Sequence, residues 1–138
     1  MVGNKSIIIL WLDDERDPSA PYGSYNGRGG GSVSWVKYYT GHDELEPNTQ
    51  VLWAHNHADF RKYLDGLMVE GRFPNFICFD HDLGGQYTGM DCVKYLVGVC
   101  EKHGIVPSKY QFRYQSMNPT GVKNMMSYIE SYIKSKQI

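Results

Sequence analysis

Apolar runs alternate with segments of helical period along this chain. Ser6 to Leu12 (SIIILWL) is a continuous β-branched and apolar run, as expected of a strand covered on both faces. It stops at Asp13-Asp14-Glu15-Arg16-Asp17-Pro18, where acids and a proline end the strand. Pro18 to Ser32 is rich in Gly, Pro, Ser and Tyr. It reads as a long loop and a candidate lid, because structureless stretches of that length are usually functional or mobile. Trp35 to Tyr39 (WVKYY) fits a strand or an edge ribbon, and Val51 to Ala54 a short strand. Phe60, Leu64 and Leu67 then recur at helical spacing within a helix from Ala58 to Val69, behind a capping signal from Asn56 and Asp59. Phe76 to Phe79 (FICF) is a second doubly buried strand. Thr88 to His103 predicts a helix with Met90, Val93, Val97 and Cys100 on one stripe and Gly104 as its stop. Tyr110 to Tyr114 predicts the last strand. Pro119 to Lys134 predicts a helix that opens on proline and carries Val122, Met126, Ile129 and Ile133 on one face. This alternation predicts an α/β fold, a mainly parallel sheet with helices on both faces, as one domain over residues 1–138.

Composition narrows the partners. Hydrophobic residues make up 41% and charged residues 21%, an ordinary globular balance. Fourteen Lys and Arg against fifteen Asp and Glu leave a net charge of −1, which argues against gripping a long duplex through its phosphates. A small nucleotide is compatible with that balance. No apolar run approaches the ~20 residues that cross a bilayer, and the run near the start lacks a small-residue cleavage site. Cys78, Cys92 and Cys100 are odd in number, sit in apolar segments and lack zinc-site spacing. Reduced core thiols in a cytoplasmic protein are the expectation. Eleven tyrosines hint at rings that stack on a base, although partly buried edges account for most of them.

In a parallel sheet, ligands bind at the carboxyl ends of the strands. Three polar segments lie at such ends: Asp13-Asp14-Glu15, Asp80-His81-Asp82-Leu83-Gly84, and Gln115-Ser116-Met117-Asn118-Pro119. A lone Asp-Asp pair is ordinarily a cap or a solvated turn. Two acidic clusters at matching strand ends instead suggest a shared cation, because gathered carboxylates repel unless neutralised. Oxygen donors of this kind suit Mg²⁺ or Mn²⁺ rather than zinc. Asn118-Pro119 starts a helix, so backbone amides there, with Ser116 and Asn118, form a candidate anion site; an ordinary Asn cap is the plain alternative. His55-Asn56-His57 spells a metal-nuclease triplet without its flanking elements and reads as a strand-to-helix turn. Gly27 to Gly31 lacks the Lys-Ser or Lys-Thr of a P-loop.

Leu12-Asp13-Asp14-Glu15-Arg16, then Phe79-Asp80-His81-Asp82-Leu83-Gly84 with Thr88-Gly89-Met90-Asp91, resemble response-regulator receiver domains in arrangement. The closer resemblance is to the divergent cyclic-phosphate-processing receivers of bacteria and phages. Their third motif, His-Ser-x-Asn-Pro-x-Gly, reads here Gln115-Ser116-Met117-Asn118-Pro119-Thr120-Gly121. The resemblance implies a receiver-like (flavodoxin-like) three-layer sandwich and a metal-dependent phosphoesterase acting on a cyclic nucleotide or a 2′,3′-cyclic phosphate. The location it implies is the cytoplasm, that of the host if the protein is phage-encoded. Asp13, Asp14 and Asp80 would hold Mg²⁺ or Mn²⁺, which polarises phosphoryl oxygens and lowers the pKa of a bound water. Ser116, Asn118 and Gly121 would orient the phosphate. His81 and Asp82 would serve proton transfer or orient the aspartates, with position 115 as partner. Gln115 stands where the family writes histidine and cannot act as acid or base near neutral pH. That departure suggests either an impaired enzyme or a binder that sequesters a nucleotide signal, with the Tyr-rich loop closing over the base. A phospho-accepting receiver with Asp80 as acceptor is the third expectation, weakened because neither a fifth strand nor its lysine is found.

Overall fold

A computed structural model describes residues 6–137. Four parallel strands, β1 (Ile7–Leu12), β2 (Thr49–Ala54), β3 (Phe76–Phe79) and β4 (Phe112–Tyr114), form a sheet of order β2-β1-β3-β4. β1 lies in full register with β2, from Ile7 opposite Thr49 to Leu12 opposite Ala54. On its other side Ile9 to Trp11 pair with Phe76 to Cys78. The chain leaves β1 in one direction and returns past it to β3. Right-handed crossovers therefore place the first connection on one face and the later ones on the other. The first connection carries α1 (Trp35–Thr40). The helices α2 (His57–Val69), α3 (Gly89–His103) and α4 (Pro119–Ser135) cover the opposite face.

Strand alternation sorts the core into two layers. Leu10, Leu12, Ile77, Phe79 and Phe112 pack with Phe60 and Leu64 of α2, Cys92, Val93 and Leu96 of α3, and Met125 and Ile129 of α4. Burying each such large side chain contributes about 1.5–3 kcal/mol. Ile9, Trp11 and Cys78 face the other way, against Val36 of α1, with Trp35, Tyr39 and Trp53 around them. All three cysteines are free and buried, and burial pushes the thiols of Cys92 and Cys100 up to about 12.

Several elements differ from the sequence expectation. Trp35 to Tyr39 is helical rather than extended. The Ser34 hydroxyl accepts from the Lys37 N–H, Gly41 closes the turn in the left-handed region, and Val36 and Thr40 point inward one turn apart. These caps and the buried face override the strand propensity of WVKYY. Strand β4 begins only at Phe112, because Ser108 caps a 3₁₀ turn over Lys109–Gln111. The inward stripe of α4 is Gly121, Met125 and Ile129, with Met126 exposed. That of α3 is Gly89, Cys92, Val93, Leu96 and Cys100, with Met90 and Val97 at its margins. Both rotations are set by a glycine in close contact. A Cβ on Gly121 would sit 2.5 Å from the His81 ring, and one on Gly89 would sit 2.1 Å from the Asp80 carbonyl oxygen.

The segment from Pro18 to Ser34 folds into a hairpin. Pro21 and Ser34 form an antiparallel bridge, as do Tyr25 and Arg28. Asn26 and Gly27 have φ of 50° and 74°, the paired positive values of a type I′ turn. Tyr22 stacks on Tyr38 at 3.6 Å between ring centroids and meets Trp35 edge-on, which fastens the hairpin to α1. Among the described residues, no helix is long and apolar enough to cross a membrane.

Candidate active site

The direction of chain progression reverses between β1 and β3, so a crevice opens at their carboxyl ends. Asp13 and Asp14 follow β1 and Asp80 follows β3. One carboxylate oxygen from each lies within 4.8 Å of the others. Asp13 is fully buried and anchors its own turn: Oδ1 accepts the backbone N–H groups of Glu15 and Arg16 at 3.0 and 2.8 Å. Two indoles pin the same turn, Trp53 Nε1 donating to the Asp13 carbonyl at 2.8 Å and Trp11 Nε1 to the Arg16 carbonyl at 2.9 Å. Gly84 has φ of 70°, and a Cβ there would stand 3.1 Å from Asp14 Oδ2, so the Leu83-Gly84 turn is held against that carboxylate.

Asp80 is 5% exposed. Burial foremost, and then repulsion from Asp13, push its carboxyl up to about 7, against the opposing pull of Arg16 and a hydrogen bond from Ser116. Arg16 supplies the cation that the sequence reading did not assign. Its Nη1 lies 3.1 Å from Asp13 Oδ2 and 3.9 Å from Asp80 Oδ2, and its guanidinium sits over the Trp35 ring at 5.2 Å. The available signal was its position three residues after Asp13 in a tight polar turn. The sheet of the described residues has four strands, and Arg16 is a cation beside Asp80.

Gln115 is buried behind the carboxylates. Its Nε2 donates to the Leu12 carbonyl at 2.8 Å and approaches Asp13 Oδ2 at 3.4 Å, while Oε1 is a buried acceptor with no donor. The Gln115 amide therefore braces the carboxyl end of β1 and borders Asp13. The Ser116 hydroxyl bonds Asp80 and also accepts the Asn118 N–H at 3.1 Å. Asn118 caps α4, its Oδ1 accepting the Gly121 N–H at 2.9 Å, so that amide is already occupied. Gly121 thus serves as the bed for the His81 ring, a different role from the phosphate contact expected of it.

His81 Nδ1 lies 2.9 Å from Asp82 Oδ1, and Asn118 Nδ2 reaches the same carboxylate at 3.4 Å. A carboxylate only accepts, so the bond to Asp82 calls for a proton on Nδ1 and turns Nε2 away from this pair. The His81 hydrogen bond in turn holds Asp82 below the usual carboxylate range. His55 and His57 do not belong to the carboxylate group: Asn56 caps α2, His57 stacks on Tyr87 and His55 on Trp53.

The donor set fits a hard divalent cation. The cluster holds three carboxylates and no thiol or imidazole, and its repulsion is only partly offset by one guanidinium. The donorless Gln115 Oε1 adds an oxygen acceptor whose hydrogen bonding is incomplete.

No curated protein and no solved structure matches the chain. Residues 8–131 match the family model of the cyclic-phosphate processing receiver domain. With that match spanning nearly all of a four-stranded receiver-like sheet, the chain belongs to the cyclic-phosphate processing receiver family.

Proposed function

We propose that the protein is a metal-assisted phosphoesterase that opens a small cyclic phosphate, a cyclic nucleotide or a 2′,3′-cyclic phosphate. The observation that carries this reading is the convergence of Asp13, Asp14 and Asp80 within 4.8 Å at the sheet's switch point, beside Arg16. Mg²⁺ or Mn²⁺ held by these carboxylates would neutralise them and polarise the phosphoryl oxygens. Arg16 adds a fixed guanidinium for a non-bridging phosphate oxygen, preorganised by Trp35. Ser116 holds Asp80 in place, and Asn118 holds the His81–Asp82 pair. His81 Nε2 is the nitrogen positioned to move a proton. Water attacks phosphorus, one ring P–O bond breaks, and the departing ester oxygen gains a proton, leaving a phosphomonoester.

A second reading, binding without turnover, is favoured by Gln115, because a buried amide replaces a group able to exchange protons. One experiment separates the two. The protein is incubated with Mg²⁺ or Mn²⁺ and a panel of 3′,5′- and 2′,3′-cyclic phosphates, and products are resolved by chromatography. Ring opening that EDTA and Asp80→Asn abolish supports the enzyme. Turnover indifferent to EDTA refutes the metal-assisted mechanism, and retention of an intact ligand supports the binder.

A further inference from the structure

We propose that the cleft between the Asp13–Asp17 turn and the tip of the Pro18–Ser34 hairpin holds the base of a nucleotide ligand. The target is then a nucleotide whose base is read, rather than any sugar cyclic phosphate. This rests on the reading of the carboxylate cluster as the phosphate side. The cleft is about 450 Å³ and is lined by Glu15, Arg16, Asp17, Trp35 and the tip residues Gly23 to Gly27. That volume lies within the range of small-ligand sites, which start at roughly 300 Å³.

Three observations assign its occupant. First, Arg16 belongs to both sites. It lines the cleft and lies 3.1 and 3.9 Å from Asp13 and Asp80, so one guanidinium spans the step from phosphate to cleft. Second, the cleft holds an open aromatic ring on a fixed support. Trp35 is engaged by Arg16 at 5.2 Å, by Tyr22 edge-on and by Tyr39 in parallel, and acts as a wall. Tyr25 is 75% exposed and lines the cleft. Its backbone is clamped by reciprocal hydrogen bonds with Arg28 at 2.9 and 3.0 Å, across the type I′ turn. A large exposed ring on a hydrogen-bonded turn, in a cleft that Arg16 also lines, is a stacking platform whose backbone is already ordered. Third, the Glu15 carboxylate lines the same cleft and has no hydrogen-bond or ion-pair partner among the described residues. A carboxylate only accepts hydrogen bonds, so it favours the exocyclic amino group of adenine or cytosine over uracil, whose one N3–H lies between two carbonyls that the carboxylate repels.

The test follows indole N–H resonances by NMR with nucleoside 3′-monophosphates, which have no ring to open. The Trp53 indole donates to the Asp13 carbonyl and reports on the carboxylate turn, whereas the Trp35 indole belongs to the cleft wall. Adenosine 3′-monophosphate should shift the Trp35 signal and bind about tenfold more tightly than ribose 3-phosphate, the scale of one base–aromatic stack. Tyr25→Ala should remove that gain and Tyr25→Phe should keep it. Glu15→Gln should erase the preference for adenosine over uridine. Equal affinity for ribose phosphate and nucleotide, an unmoved Trp35 signal, or indifference to Tyr25→Ala overturns the assignment. Mg²⁺ alone should shift the Trp53 signal. Its failure to do so refutes the metal site separately and leaves the cleft result legible.

Discussion

Asp80→Asn should stabilise the metal-free protein above neutral pH, although it removes a central residue of the site. The Asp80 carboxyl is pushed from 3.8 up to about 7 in the folded protein, by burial and by the neighbouring Asp13. The folded state therefore binds this proton more tightly than the unfolded chain does. Stability is greatest below about pH 4 as far as this group is concerned, falls as pH rises toward 7, and carries the whole penalty above it. At about 1.4 kcal/mol per pKa unit, the shift sets a ceiling near 4 kcal/mol. Asp80 and Asp13 titrate as a pair, and Arg16 loses one of its two carboxylates in the variant, so about half of that is expected. For a chain of this size ~2 kcal/mol corresponds to roughly 6 °C in Tm. Thermal unfolding in EDTA at pH 8 should show the variant above the parent, with the difference vanishing near pH 4. Added Mg²⁺ should raise the parent and leave the variant where it is. A variant less stable than the parent at pH 8 in EDTA would refute the view of Asp80 as a strained, cation-seeking carboxylate.

Arg16→Met leaves the fully buried Asp13 without its ion-pair partner and should cost about 3 kcal/mol by urea unfolding at pH 8; an unchanged midpoint would show that the guanidinium is dispensable. Gly121→Ala places a Cβ 2.5 Å from the His81 ring and should cost about 1–3 kcal/mol while shifting the His81 side-chain NMR signals. Retained His81 shifts and full stability would mean the ring does not rest there. A thiol reagent should find none of the three buried cysteines in the native protein and all three in urea, and rapid native labelling would contradict the core packing.

Much of the fold was legible because period and punctuation agreed. The apolar runs at Ile7 and Phe76, the Asn56 and Asn118 caps, and Gly104 each fixed an element within a residue or two. The failures came where a distant contact decided. Trp35 to Tyr39 has strand propensity, and its helix depends on Ser34, Gly41 and the packing of Tyr22 from the hairpin. The faces of α3 and α4 are turned by Gly89 and Gly121 meeting Asp80 and His81, which no helical periodicity encodes. Within the site, the acidic residues were readable from strand-end position. Arg16 was quoted in its motif, yet its role required seeing one turn bring its guanidinium to two carboxylates. The buried setting of Gln115, donating to a backbone carbonyl of β1, was likewise invisible in one dimension.

The account stands most directly on whether this carboxylate cluster opens a cyclic phosphate. The decisive measurement is ³¹P NMR of the protein and its Gln115→His form, each with Mg²⁺ or Mn²⁺ and the same cyclic-phosphate panel. Conversion of one cyclic phosphate to its monoester, faster in the histidine form and stopped by EDTA, is the predicted result. A signal unchanged in both forms, with one ligand nevertheless bound by both, would contradict the phosphoesterase and leave the protein a nucleotide binder.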